Sequence, residues 1–86
     1  MEVELSSNFL KHARRLSAQE KHKLSERTEW FRRDPHDPRL KTHALTGKLK
    51  GLFSFSVTYG KRVTYLLVNK TTALFTDVGS HDEVYR

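Results

Sequence analysis

With 86 residues and no cysteine, the chain has room for one domain spanning 1–86, burying roughly 60–65% of its unfolded surface, and disulfides and thiolate metal sites are excluded. At 36% hydrophobic and 30% charged residues it is apolar enough to fold, yet no run approaches the roughly 18 apolar residues of a membrane span. Its formal net charge of +6 is local: Pro38 to Thr76 holds seven Lys or Arg plus His43 and no acid, while residues 1–37 carry eight bases against seven acids and the last ten carry three acids against Arg86. A field focused in that way attracts a polyanion.

In chain order, Met1 to Leu5 alternates Val3 and Leu5 with Glu2 and Glu4, the pattern of a short strand. The acids there, and the lack of a continuous apolar core, argue against a signal peptide. Together with the absence of cysteine, they make the cytoplasm the expected compartment. From Ser6 to Leu16, Phe9, Ala13 and Leu16 line one side of a helix, with Lys11, His12, Arg14 and Arg15 around the rest. Ser17 and Glu20 stand at capping-box spacing and open a second helix. Its inward stripe is Leu24, Thr28 and Phe31, and Pro35 forces its end. The expected unit is an antiparallel helix pair.

Asp34 to Gly51 holds two prolines and two glycines without a long apolar period. It reads as a loop tacked down by Leu40, Leu45 and Leu49, and a loop of that length in a small domain is more often functional than idle. Leu52 to Ser80 reads as a three-strand meander. Matching Val57 with Val63, Phe55 with Tyr65 and Phe53 with Leu67 selects a Tyr59-Gly60-Lys61 loop and places Arg62 on the polar face beside Thr58, near Ser56 and Thr64. In the last strand, Thr72 to Val78, Leu74 faces Leu67, which leaves Leu66 and Phe75 on the polar side. The expected fold class is α+β: an N-terminal strand and helix pair packed on one face of a mainly antiparallel sheet of about four strands.

The chemistry-bearing candidates are His43, Lys48 and Lys50 from the loop, Arg62 from a strand, and His81 with Tyr85 after Gly79. Cleaving RNA requires a base for the 2′-hydroxyl proton, cations for the charge gathering on phosphorus, and an acid for the 5′-oxygen. Imidazole suits either proton role because its unperturbed pKa lies near neutrality. Arginine offers a planar fork that matches phosphate oxygens. No divalent metal or other cofactor is then needed. Lys41, Lys61 and Lys70 read as a solvated basic face or as general phosphate contacts. His12, His22 and His36 read as solvent-facing or loop residues, and Trp30 with Phe31 as helix packing. A zinc site from His36, His43 and His81 lacks both a cysteine and an i, i+4 pair.

Three segments then stand in a telling order: Phe31-Arg32-Arg33-Asp34-Pro35 leading to His43-Ala44-Leu45-Thr46-Gly47-Lys48-Leu49-Lys50-Gly51, then Tyr59-Gly60-Lys61-Arg62-Val63, then Val78-Gly79-Ser80-His81-Asp82-Glu83-Val84-Tyr85. Over roughly residues 30–86 the chain resembles the RelE/ParE superfamily of bacterial type II toxin–antitoxin toxins, and within it the YafQ-like and RelE-like mRNA interferases. The resemblance implies a β-α-α-β-β-β arrangement. It also implies an endoribonuclease that cleaves mRNA on the ribosome and is held in a heteromeric complex by a small acidic antitoxin. Catalytic roles are carried over to His43, His81 and Tyr85 from YafQ-like members, and to Lys48, Lys50, Arg62 and Tyr85 from RelE-like ones. The expected assignment is catalytic His43, Arg62, His81 and Tyr85, with RNA contacts from Lys41, Lys48, Lys50 and Lys61. The acid role falls to His81, phosphate binding to Arg62 and Lys50, and a stacking or orienting role to Tyr85. The base remains open between His43 and a lysine. The chain departs from YafQ-like members at Ser56 and Gly60, where those have a further histidine and an aspartate.

Two other functions compete. A ParE-like inhibitor would poison DNA gyrase by protein binding alone, and the paired histidines argue against it. A non-catalytic nucleic-acid- or partner-binding module would show steep salt dependence without cleavage.

Overall fold

The computed structural model describes residues 1–85. Its elements are β1 (Glu2–Leu5), α1 (Ser7–Ala13), α2 (Ala18–Arg33), β2 (His43–Ala44), β3 (Phe53–Thr58), β4 (Lys61–Leu67), β5 (Thr72–Gly79) and α3 (His81–Val84), with 3₁₀ turns at Pro38–Leu40 and Gly47–Leu49. The strands form one sheet in the order β1-β5-β4-β3-β2, where β1 runs parallel to β5 and the other pairs are antiparallel. The expected α+β class holds, but with five strands rather than four. The added one is β2, only two residues long, which pairs His43 with Ser54 and Ala44 with Phe53. It lies inside what reads as loop because so short a strand has no alternation to reveal it. Leu40, as expected, is fully buried and pins the loop to the core.

The helix pair covers one face. Both N-termini are capped by serine: Ser6 Oγ accepts from the Phe9 N–H, and Ser17 with Glu20 forms a complete capping box. Phe9 and Phe31 point from the helices, and Leu16 from the turn between them, because α1 stops at Ala13, into a core with Phe55, Val63, Tyr65 and Phe75. Phe31 is its centre: it stacks on Phe55 at 5.4 Å and meets Tyr65 and Phe75 edge-on at 4.8 and 5.3 Å.

Two bulges correct the expected register. Phe53 pairs with Tyr65, Phe55 with Val63, and Thr58 with Lys61, so Val57 is an extra residue and the hairpin turn is the two residues Tyr59-Gly60. Ser56, not Thr58, is therefore opposite Arg62. On β5, Tyr65 pairs with Phe75 but Thr64 with Asp77, which leaves Thr76 as the extra residue. Strict alternation counted back from Val78 places Leu74 inside. The bulge reverses that phase, so Ala73 and Phe75 are the buried residues and Leu74 lies opposite Leu66 on the other face. The Thr76 carbonyl, put outside the ladder, accepts from Ser6 Oγ at 3.0 Å and Asn8 Nδ2 at 3.2 Å, which ties the start of α1 to the sheet.

The second face carries Ser54, Ser56, Arg62 and Thr64, and α3 lies across it. The Tyr85 hydroxyl donates to Ser54 Oγ at 2.6 Å. Among the described residues no helix is long and apolar enough to cross a membrane.

Candidate functional site

The junction between β5 and α3 sets the site. Gly79 ends β5 directly opposite Arg62 on β4, and Ser80 then caps α3 in a second capping box with Glu83. A side chain at Gly79 would press on Glu83 at 3.3 Å, so glycine lets the capping carboxylate close against the strand. These bonds hold the Glu83 carboxyl below its ordinary value of 4.5, chiefly through the Ser80 backbone N–H and next through its hydroxyl. His81, the first residue of α3, is thereby delivered beside Arg62. The sequence signal for α3 is Ser80-His81-Asp82-Glu83, the same spacing that marks the start of α2.

Arg62 and His81 line one open cleft of about 680 Å³, together with Lys41, Arg27, Arg39, the hairpin from Ser56 to Gly60, Ser80 and Asp82. Arg62 Nη1 donates to Ser56 Oγ at 3.2 Å, and among the described residues no carboxylate pairs with it. Its charge is available to an anion. The His81 side chain is 69% exposed, and its ring meets that of Tyr85 edge-on at 4.3 Å. Tyr85 is anchored at its far end by Ser54, so strand, tyrosine and histidine form one supported chain.

The remaining sequence candidates fall elsewhere. His43 lines a neighbouring, more apolar hollow of about 460 Å³ with His36, Phe53 and Tyr65, and its Nδ1 lies 3.3 Å from the Lys41 carbonyl. The two imidazoles therefore do not share a hollow. Lys41 lines both and links them. It also holds a left-handed conformation at φ +53°, uncommon for a residue with a Cβ, at the end of the first 3₁₀ turn. Lys48 and Lys50 sit on the exposed second 3₁₀ turn and line neither hollow. Lys61, next to Arg62 on β4, points to the opposite, helix-covered face, and its Nζ lies 3.8 Å from Glu20 Oε2.

Two features escaped the sequence reading. His12, taken as solvent-facing, holds Asp77 through Nδ1 at 2.5 Å and so clamps α1 to β5. Arg39 and Arg27 close on the Trp30 ring, with guanidinium carbons 3.7 and 4.2 Å from its centroid, and thereby form one wall of the cleft. Their sequence separation hides the grouping. The i, i+3 spacing of Arg27 and Trp30 was the available hint.

No protein-family profile and no curated protein matches this chain. Solved structures do. YafQ from E. coli BL21(DE3) superposes with TM-score 0.78 at 22% identity, covering 99% of this chain and 98% of its own. YafQ in the E. coli DinJ–YafQ toxin–antitoxin complex gives 0.75 at 23%, covering 99% and 97%. The YoeB–YefM complex from Staphylococcus aureus gives 0.76 at 15%, covering 94% and 97%. The fold is thus the RelE-like fold of those toxins, shared over nearly the whole chain.

Proposed function

We propose that this protein is the toxin of a type II toxin–antitoxin module, acting in the cytoplasm as an endoribonuclease on mRNA at the ribosome and held inactive by a small acidic antitoxin. The observation that carries the reading is the joint presence of Arg62 and His81 in one open cationic cleft. In the proposed step the 2′-oxygen attacks phosphorus while a base takes its proton. The bond from phosphorus to the 5′-oxygen breaks, and the His81 imidazolium gives its proton to that leaving oxygen. The products are a 2′,3′-cyclic phosphate and a 5′-hydroxyl end. Arg62, with Lys41 nearby, stabilises the charge on the phosphoryl oxygens, and Tyr85 orients His81 and the nucleotide.

The base comes from the 41–50 loop. His43 serves from the adjoining hollow, or a lysine at the second 3₁₀ turn does; loss of the acidic limb of the pH–rate profile, where rate rises as the base loses its proton, in His43→Ala or in Lys50→Ala assigns it. An acidic antitoxin fits the same cationic surface by charge.

Induction of the protein in bacteria without its partner tests the reading. Growth arrest with mRNA cuts that vanish in His81→Ala supports it. Arrest with intact transcripts and damaged DNA would instead indicate a gyrase inhibitor, and no arrest would leave a binding module.

A further inference from the structure

The Arg39 guanidinium is fixed on two sides. One face lies on the Trp30 ring, with Cζ 3.7 Å from the centroid. One edge is held by the Asp37 carboxylate, which accepts from Nε at 3.1 and 3.2 Å and from Nη2 at 2.8 Å. Asp37 is itself held in place, accepting the Arg39 backbone N–H at 2.9 Å as the cap of its turn. The side chain nevertheless remains 61% exposed, and it lines the cleft that contains Arg62 and His81. What the cleft meets is the outer face of a flat, immobilised cation.

That geometry separates two ligand chemistries. A phosphate would find only the in-plane N–H groups of Nη1 and Nη2 that Asp37 leaves free, on a cation whose charge the carboxylate already offsets. A nucleobase needs only the outer face, and guanidinium planes are established stacking partners for unpaired bases. We propose that Arg39, backed by Trp30 and squared by Asp37, is a stacking shelf for one base of the bound RNA, leaving Arg62 and Lys41 to its phosphates. Arg39 is thus a positioning residue for the nuclease described above, on which this inference rests. It selects a flanking nucleotide by stacking and is not part of the bond-breaking step.

The test is binding, so that it separates from catalysis. Single-stranded RNA nonamers with 2′-O-methyl groups cannot be cleaved by 2′-oxygen attack. A series carrying one abasic position at a time is titrated against the wild-type protein, Arg39→Ala and Arg39→Lys by fluorescence anisotropy, with thermal melts verifying that each variant is folded. Wild type is expected to lose roughly tenfold in affinity at one abasic position, within the range for stacking of a single base. Arg39→Ala should bind the intact RNA roughly tenfold more weakly and be indifferent to that abasic position. Arg39→Lys should behave like Arg39→Ala, since it keeps the charge and loses the plane. Full affinity in Arg39→Lys, or an abasic profile in Arg39→Ala matching wild type, overturns the shelf while leaving the nuclease intact. No RNA binding by wild type overturns the shelf, while the nuclease is decided by cleavage on purified ribosomes. Coupling at Arg39 without cleavage activity upholds the shelf and removes the nuclease.

Discussion

Arg62 occupies a position that only a hairpin of this register provides: on the second face of the sheet, opposite Ser56 on one side and Gly79 on the other. Removing a donor aimed at charge that develops in a transition state typically costs 10²- to 10³-fold in rate. Arg62→Ala is therefore expected to lower the single-turnover cleavage rate by about that factor with little change in melting temperature, and Arg62→Lys to recover only part of it, because an ammonium lacks the fork. Lys41 gives a test in which stability and binding move apart. Glycine tolerates its left-handed backbone without strain, so Lys41→Gly should melt at or slightly above the wild-type temperature while RNA affinity falls. Parallel melts and binding curves check both halves. At this scale the order of their segments pointed to Arg62, His81 and Tyr85, and the fold places Arg62 and His81 in one cleft with Tyr85 against the histidine. The Arg39–Trp30 stack was not, because it arises when a 3₁₀ turn folds back on α2 and has no local spacing to betray it. His43 was legible as a residue of interest, but the strand it belongs to is too short to be seen, and its placement in the adjoining hollow follows from that strand.

The elements that present the site are short and held by caps. α3 has four residues, too few to persist without tertiary and capping bonds. Glu20 and Glu83 are both lowered from their ordinary value of 4.5 in the folded chain, each first by the serine backbone N–H of its box. A carboxylate lowered on folding contributes stability that is complete above its unfolded value and is lost as pH falls through its folded value. Thermal melts should accordingly be flat in pH above about 5 with respect to these groups and decline below about 4.5. Glu83→Gln should shallow that acid decline. Ser80→Ala should lower the melt by a few degrees, since losing an N-cap costs about 0.5–2 kcal/mol, and lower cleavage by more than that loss accounts for at a temperature where the variant is folded, because loosening α3 moves His81 and Tyr85 together. The start of α2 was readable from Ser17 and Glu20, whereas α3 was missed although Ser80 and Glu83 carry the same spacing, because four residues have no apolar period to support it. Strand phase failed at Val57 and Thr76 for a single reason: a bulge inserts a residue that a period of two cannot count. The Thr76 bulge shows why such an insertion is tolerated here, since Ser6 and Asn8 take up the carbonyl it displaces.

For the whole molecule, charge and core divide the work. Every acid of the chain lies outside Pro38–Thr76, and the fold brings Arg39, Lys41 and Arg62 of that stretch together with Arg27 of α2 and the start of α3 around the cleft. Affinity for RNA should fall steeply with salt, with a slope in proportion to the phosphates neutralised, and Lys41→Ala should reduce that slope by about one contact. Stability rests on the aromatic cluster around Phe31. Phe31→Ala is expected to cost about 3–5 kcal/mol, a large share of the roughly 5–15 kcal/mol typical of a domain, and urea unfolding will register it. The cleft holding Arg62 and His81 is proposed to break RNA by attack of the 2′-oxygen. The direct measurement is end-group analysis of mRNA cut on purified ribosomes by wild type and by the Arg62→Ala, His81→Ala double variant. Wild type is expected to give 5′-hydroxyl and cyclic-phosphate ends, and the double variant essentially no product despite unimpaired folding. Ends bearing a 5′-phosphate, or a double variant that cuts as fast as wild type, would contradict it.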